Sequence, residues 1–155
     1  MVRYAHQMNN YYCGPAVIVT ALRSYGIRVT QREAAKRAKT TKEKGTSTSG
    51  LVRALKSFGL RVHASGKSTL KDVRKGIGEG ITVIVCYTEP KAEEGHYAVV
   101  MGFHGDQIYL ASPDERGSAL VAMPLKEFER RWKDPLYTHS RRWAAFITPP
   151  QGKRD

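Results

Sequence analysis

The chain has 155 residues, 41% of them apolar and 26% charged, which suits one domain with a buried core and is too short for two. No apolar run approaches the roughly 20 residues that cross a bilayer, and the opening Met1-Val2-Arg3-Tyr4-Ala5-His6 has no signal-type apolar stretch, so a cytoplasmic location is expected. The 26 Lys and Arg against 14 Asp and Glu give a net charge of +12, open to nucleic acid, anionic membranes or acidic peptides as partners. The basic residues are scattered, without arginine–glycine repeats or an aromatic stacking platform, so nucleic-acid binding stands as an alternative and not as the leading reading.

In chain order, Ala16, Val17, Val19, Thr20, Ala21 and Leu22 predict an apolar helix after Pro15, which is tolerated in a first turn, with Gly26 as its stop. Thr30-Gln31-Arg32-Glu33 has the form of a capping box opening a short helix through Ala38. Thr40 to Gly50, polar and rich in Thr, Ser and Gly, predicts an exposed loop. Leu51, Val52, Leu55 and Phe58 follow helical spacing up to Gly59, and Leu60 to Ala64 alternates as a short strand. Thr69-Leu70-Lys71-Asp72 opens another helix, with Leu70, Val73 and Ile77 on one face. Ile81 to Tyr87 predicts a buried central strand, and an acidic loop follows to Gly95. Tyr97 to Phe103 and Gln107 to Ala111 predict a hairpin turned by His104-Gly105-Asp106. A strand over Ala119 to Met123, a short helix from Pro124 to Trp132 and a last strand from Trp143 to Thr148 complete the pattern. Helices followed by antiparallel strands indicate an α+β domain over 1–148, with a flexible tail over 149–155 that has no core-forming content.

Two segments carry chemistry. In Tyr12-Cys13-Gly14-Pro15-Ala16 a thiol stands at the start of a helix, where the macrodipole and unpaired backbone N–H groups favour the thiolate. In Gly95-His96-Tyr97-Ala98-Val99-Val100 a histidine opens an apolar strand, a rigid mount for an imidazole. Gln7, six residues before Cys13, can donate an amide hydrogen to a developing oxyanion together with the Cys13 backbone N–H. Cys86, inside the predicted central strand, reads as a core hydrophobe, and both cysteines read as free thiols. His6, His63, His104 and His139 lie in weaker contexts. No cofactor is expected, because no pair of close ligands of zinc-site spacing occurs.

Together these motifs resemble the papain-like family of bacteriocin-processing cysteine peptidases, which remove double-glycine leader peptides, and most of all its stand-alone bacterial members. Gln7 with Tyr12 to Ala16 is similar to the family's oxyanion glutamine and nucleophile motif, and Gly95 to Val100 to its histidine strand. Gly45-Thr46-Ser47 with Leu51 to Leu55, Gln107 to Pro113, and Leu125 to Trp132 match further segments in the same order. The resemblance implies a papain-like cysteine peptidase fold with N-terminal helices packed on an antiparallel sheet. It also implies peptide or protein substrates, Cys13 as nucleophile, His96 as acid and base, and Gln7 at the oxyanion. The family's third catalytic residue is the aspartate of an Asp-Pro pair, whereas this chain has Ser112-Pro113-Asp114. Ser112 and Asp114 are therefore both candidates for the group that orients His96. The alternatives are deamidation or transacylation by the same pair, a weak or inactive domain that binds peptides, and a basic nucleic-acid-binding protein. The oligomeric state is not predicted.

Overall fold

The computed structural model describes residues 4–114, 120–135 and 141–150. His139, residue 119 of the fifth predicted strand, and residues 151–155 of the tail lie outside them. The chain opens with three helices, α1 Cys13–Ser24, α2 Gln31–Ala38 and α3 Thr48–Ser57. Strand β1 Arg61–Ser65 and helix α4 Leu70–Gly78 follow, then β2 Thr82–Thr88, β3 Gly95–His104, β4 Gln107–Ala111 and β5 Leu120–Pro124. Helix α5 Leu125–Arg131 and strand β6 Ala144–Thr148 close the domain. The strands form one six-stranded sheet in the order β1-β6-β2-β3-β4-β5, with every neighbouring pair antiparallel.

Strand alternation sends the two faces of this sheet into two cores. Ile84, Cys86, Tyr97 and Val99 pack with the apolar faces of α1, α2 and α3. Val83, Val85, Tyr87, Ala98 and Val100 pack with Val73 of α4 and with Phe128 and Trp132 at α5. Helix α1 is buried along nearly its whole length, from Gly14 to Leu22, because it is wedged between the sheet and the other two helices. That wedge fixes where its N-terminus emerges.

Local signals set most of the boundaries. Thr30 caps α2 by accepting from the Glu33 N–H at 3.1 Å. Thr69 and Asp72 form a full reciprocal capping box at the start of α4. Gly105 supplies the positive φ of the β3–β4 turn. One expectation is corrected. The predicted 40–50 loop ends at Ser47, whose hydroxyl caps α3 by accepting from the Gly50 N–H at 3.0 Å. Gly50 is helical and buried, and a Cβ there would stand 2.4 Å from the Ala38 carbonyl oxygen, so glycine here marks α2–α3 packing and not a loop. Among the described residues no helix is long and apolar enough to cross a membrane.

Candidate functional site

Cys13 is the first residue of α1. No side chain caps this helix, its first turn has no acidic residue, and Pro15 lacks an N–H, so the leading backbone donors are left for the thiol. Gly14 permits a close approach: a Cβ there would fall 2.3 Å from Thr46 Oγ1. Thr46 is itself pinned over the helix start, its carbonyl accepting from the Tyr97 hydroxyl at 2.8 Å and its hydroxyl sharing a hydrogen bond with Thr40 at 2.7 Å. The thiol is half-buried in the resulting corner. Burial would push its pKa up, but the hydrogen bond and positive charge of His96, with the backbone N–H groups of Tyr97 and Gly14, outweigh it and hold the thiol below its ordinary value.

His96 is the second residue of β3, opposite Tyr87 of β2 in the antiparallel register. Gly95 before it is covered by Asp134, whose Oδ2 would lie 2.2 Å from a Cβ at position 95. The ring therefore has one bounded corner to occupy. Its Nε2 lies 3.0 Å from the Ser112 hydroxyl, which leaves Nδ1 as the nitrogen facing Cys13. Burial pulls the imidazole pKa down; the hydrogen bond and charge of Cys13, with the charges of Asp114 and Glu89, raise it above its ordinary value. The opposed shifts of thiol and imidazole both favour the thiolate–imidazolium pair over the neutral pair.

The structure therefore brings Cys13, His96 and Ser112 into one chain of contacts. The charge of Asp114 also acts on the ring. Gln7 lies against the same 112–114 segment, its backbone N–H donating to the Pro113 carbonyl at 2.7 Å. It is 8% exposed. Its Nε2 donates to the Asn9 carbonyl at 2.7 Å, and its buried Oε1 has no partner among the described residues. The atom facing a carbonyl oxygen has to be the nitrogen, so the amide orientation follows from donor chemistry and one amide hydrogen remains for a ligand. Cys86 lines the same cleft as Cys13 but is almost fully buried among apolar neighbours. The His6 ring Nδ1 lies 3.3 Å from the Asp114 carbonyl. Among the described residues no group of His, Cys, Asp and Glu is arranged to hold a metal.

Sequence reasoning missed three contributors. Tyr87, 1% exposed, sets its ring edge-on to His96, and Ser112 lowers its phenol pKa against the rise that burial causes. The hairpin linking β2 and β3 held the signal, because pairing Thr88 with Gly95 puts residue 87 opposite 96. Thr46, inside the Gly45-Thr46-Ser47 segment, and Asp134 carried no signal of a place at the site; they matter through what they press against, Gly14 and Gly95. The cleft beside Cys13 is charged with both signs, Lys39, Lys42 and Lys44 on the α2–α3 loop facing Glu94 and Asp134.

Comparison with known proteins fits this geometry. An uncharacterized protein of Methanothermobacter thermautotrophicus is 37% identical over 107 residues, which are 69% of this chain and 68% of that one. The peptidase domain of Streptococcus ComA, a bifunctional ABC transporter of a quorum-sensing pathway, superposes with a TM-score of 0.78 at 24% identity, covering 97% of this chain and 100% of that domain. A double-glycine-motif protease from an AMS/PCAT transporter, solved with its leader peptide, gives a TM-score of 0.74 at 18% identity, covering 96% of this chain and 92% of that one. These likenesses establish the papain-like peptidase fold. Residues 1–142 match the Peptidase C39 family, and the chain belongs to that family of cysteine peptidases.

Proposed function

We propose that this chain is a thiol peptidase that hydrolyses peptide bonds through an acyl-enzyme on Cys13. The observation that carries the reading is the pairing of Cys13, at the N-terminus of α1, with His96 at the start of β3, an interaction that lowers the thiol pKa and raises the imidazole pKa. In this reading the Cys13 thiolate attacks the scissile carbonyl carbon. The oxyanion is held by the Cys13 backbone N–H and the remaining Gln7 amide hydrogen. The His96 imidazolium gives its proton to the leaving amine, and the neutral ring then takes a proton from the water that cleaves the thioester. Ser112 accepts from His96 Nε2–H and so takes the place of the family's carboxylate; Asp114 adds a stabilising charge at longer range.

Double-glycine leader peptides are the proposed substrate class, supported by family membership and by the leader-bound relative of the same fold. The cytoplasm is the proposed compartment, where leader-bearing precursors are made and both cysteines stay reduced. The mixed charge of the cleft suits a peptide better than a polyanion, for which a cleft of one sign is needed. The test is incubation with synthetic peptides carrying an internal Gly-Gly, with products read by mass spectrometry. Cleavage after the second glycine that disappears in Cys13→Ala supports the proposal. Cleavage that persists in Cys13→Ala, or none with a set of such peptides, contradicts it.

A second reading has one observation in its favour: the group bonded to His96 Nε2 is a neutral hydroxyl and not a carboxylate. A peptide-binding domain with feeble hydrolysis would bind the same peptides and leave them intact.

A further inference from the structure

The Ser112 hydroxyl differs from a carboxylate in a way that sets a physical requirement. A carboxylate can only accept, so it holds the proton on the imidazole nitrogen that faces it. A hydroxyl can accept or donate, and it rotates. If Ser112 turned its hydrogen toward His96 Nε2, the neutral ring would keep its proton on Nδ1, against the thiol. That tautomer cannot take the thiol proton. A serine in this place therefore works only if something else takes its hydrogen.

Among the described residues the structure offers one group for that task. Ser112 acts on the Tyr87 hydroxyl as a donor, lowering a phenol pKa that burial raises, and its Oγ lies 3.0 Å from His96 Nε2. Tyr87 is also the cross-strand partner of His96, with ring centroids 6.2 Å apart and planes at 78°. It is 1% exposed, and its ring is held against Phe128 from α5. Ser112 is 5% exposed, so water is a poor competitor for its hydroxyl. Burial pushes the phenol pKa up to about 12, so the group stays neutral throughout the range in which a thiol–imidazole pair works.

We propose that Tyr87 is a positioning residue: it takes the Ser112 hydrogen, turns the Ser112 lone pair toward His96 Nε2–H, and so lets a serine orient the imidazole where the family uses an aspartate. The chain runs one way, from His96 Nε2–H to Ser112 Oγ and from Ser112 O–H to Tyr87 Oη, and each bond strengthens the other. The charged or titratable groups that act on His96 are Cys13 from α1, Asp114 after β4 and Glu89 after β2; Tyr87 acts through Ser112. This assignment rests on the peptidase reading of the site.

Tyr87→Phe removes the hydroxyl and keeps the ring. Its expected effect is a drop in kcat of about tenfold, the size of one lost neutral hydrogen bond, with KM unchanged. The alkaline limb of the kcat/KM profile moves to lower pH, because the imidazolium loses its fixed acceptor. The same loss appears without any substrate as a lower His96 pKa and a greater share of the Nδ1–H tautomer in ¹⁵N NMR. In a Ser112→Ala background, Tyr87→Phe has no further effect on that titration. With Ser112→Asp, whose carboxylate needs no orienting partner, position 87 is indifferent to the same change.

An unchanged His96 titration and tautomer in Tyr87→Phe would overturn the proposal, as would equal effects of that change with and without Ser112. A merely structural role would lower thermal stability and leave the tautomer alone. The NMR result stands whether or not the native protein cleaves a peptide, so failure of the positioning role is distinguishable from failure of the peptidase reading.

Discussion

Replacing Ser112 by aspartate puts the family's carboxylate back in contact with His96. The Ser112 oxygen lies 3.0 Å from Nε2 in a 5% exposed position, so the new charge is in hydrogen-bond contact and weakly screened. An opposite charge at such range raises a histidine pKa by about 1–3 units, beyond the elevation already due to Cys13, Asp114 and Glu89. Each unit corresponds to about 1.4 kcal/mol of preference for the charged ring. Activity requires thiolate and imidazolium together, so it rises as Cys13 ionises and falls as His96 loses its proton. The alkaline limb of kcat/KM in Ser112→Asp should therefore move up by about 1–3 units, and the acid limb by less, because the thiol is not the contacted group. Stability follows the same sign. A raised histidine pKa gives stabilisation that is full below the unfolded value and is lost as pH rises through the folded value. The assay is steady-state cleavage of a Gly-Gly peptide across pH, with thermal melts at each point. An alkaline limb that stays put, or moves down, would refute the claim that the Nε2 proton points at residue 112.

Gly95→Ala should lower both melting temperature and activity, since its Cβ would fall 2.2 Å from Asp134 Oδ2, and overpacking of this kind costs about 1–3 kcal/mol. Adding Asp134→Ala should return most of the loss, a double-mutant cycle read by thermal denaturation and peptide cleavage. Thr69→Ala removes the hydroxyl that accepts from the Asp72 N–H at 3.1 Å and should destabilise the fold by about 0.5–2 kcal/mol in urea titration while leaving kcat/KM unchanged, because α4 packs on the face of the sheet away from α1.

What could be read from the sequence was whatever a short window encodes. Helix starts at Thr30 and Thr69, the turn at Gly105 and the cysteine before Gly14-Pro15 each state their role within four residues. The boundary that shifted did so because a neighbour intervened: Gly50 looks like loop composition but is the small residue that lets α3 approach the Ala38 carbonyl. Insertion of β6 between β1 and β2 could not be read at all, since it joins strands some sixty to eighty positions apart through pairings of ordinary apolar residues. At the site, Cys13 and His96 were visible because their immediate neighbours are diagnostic. Ser112 and Asp114 stood as equal candidates because only the placement of the end of β4 against the ring shows the serine hydroxyl at Nε2, with the Asp114 charge acting on the ring as well. Tyr87 was hidden for a different reason. A tyrosine in an apolar strand reads as core, and it is core; its hydroxyl gains meaning only from the serine beside it.

The account stands on an ionised thiol at the start of α1 made by its contact with His96, and the pH dependence of alkylation tests that directly. Iodoacetamide labelling of the folded protein, read at each cysteine by peptide mass, should show Cys13 titrating below an ordinary thiol while buried Cys86 stays unlabelled. In His96→Ala the hydrogen bond and charge that lower the Cys13 pKa are gone and burial remains, so its curve should move to higher pH. Cys13 titrating like a free thiol in the native protein, or unmoved by loss of His96, would contradict the account.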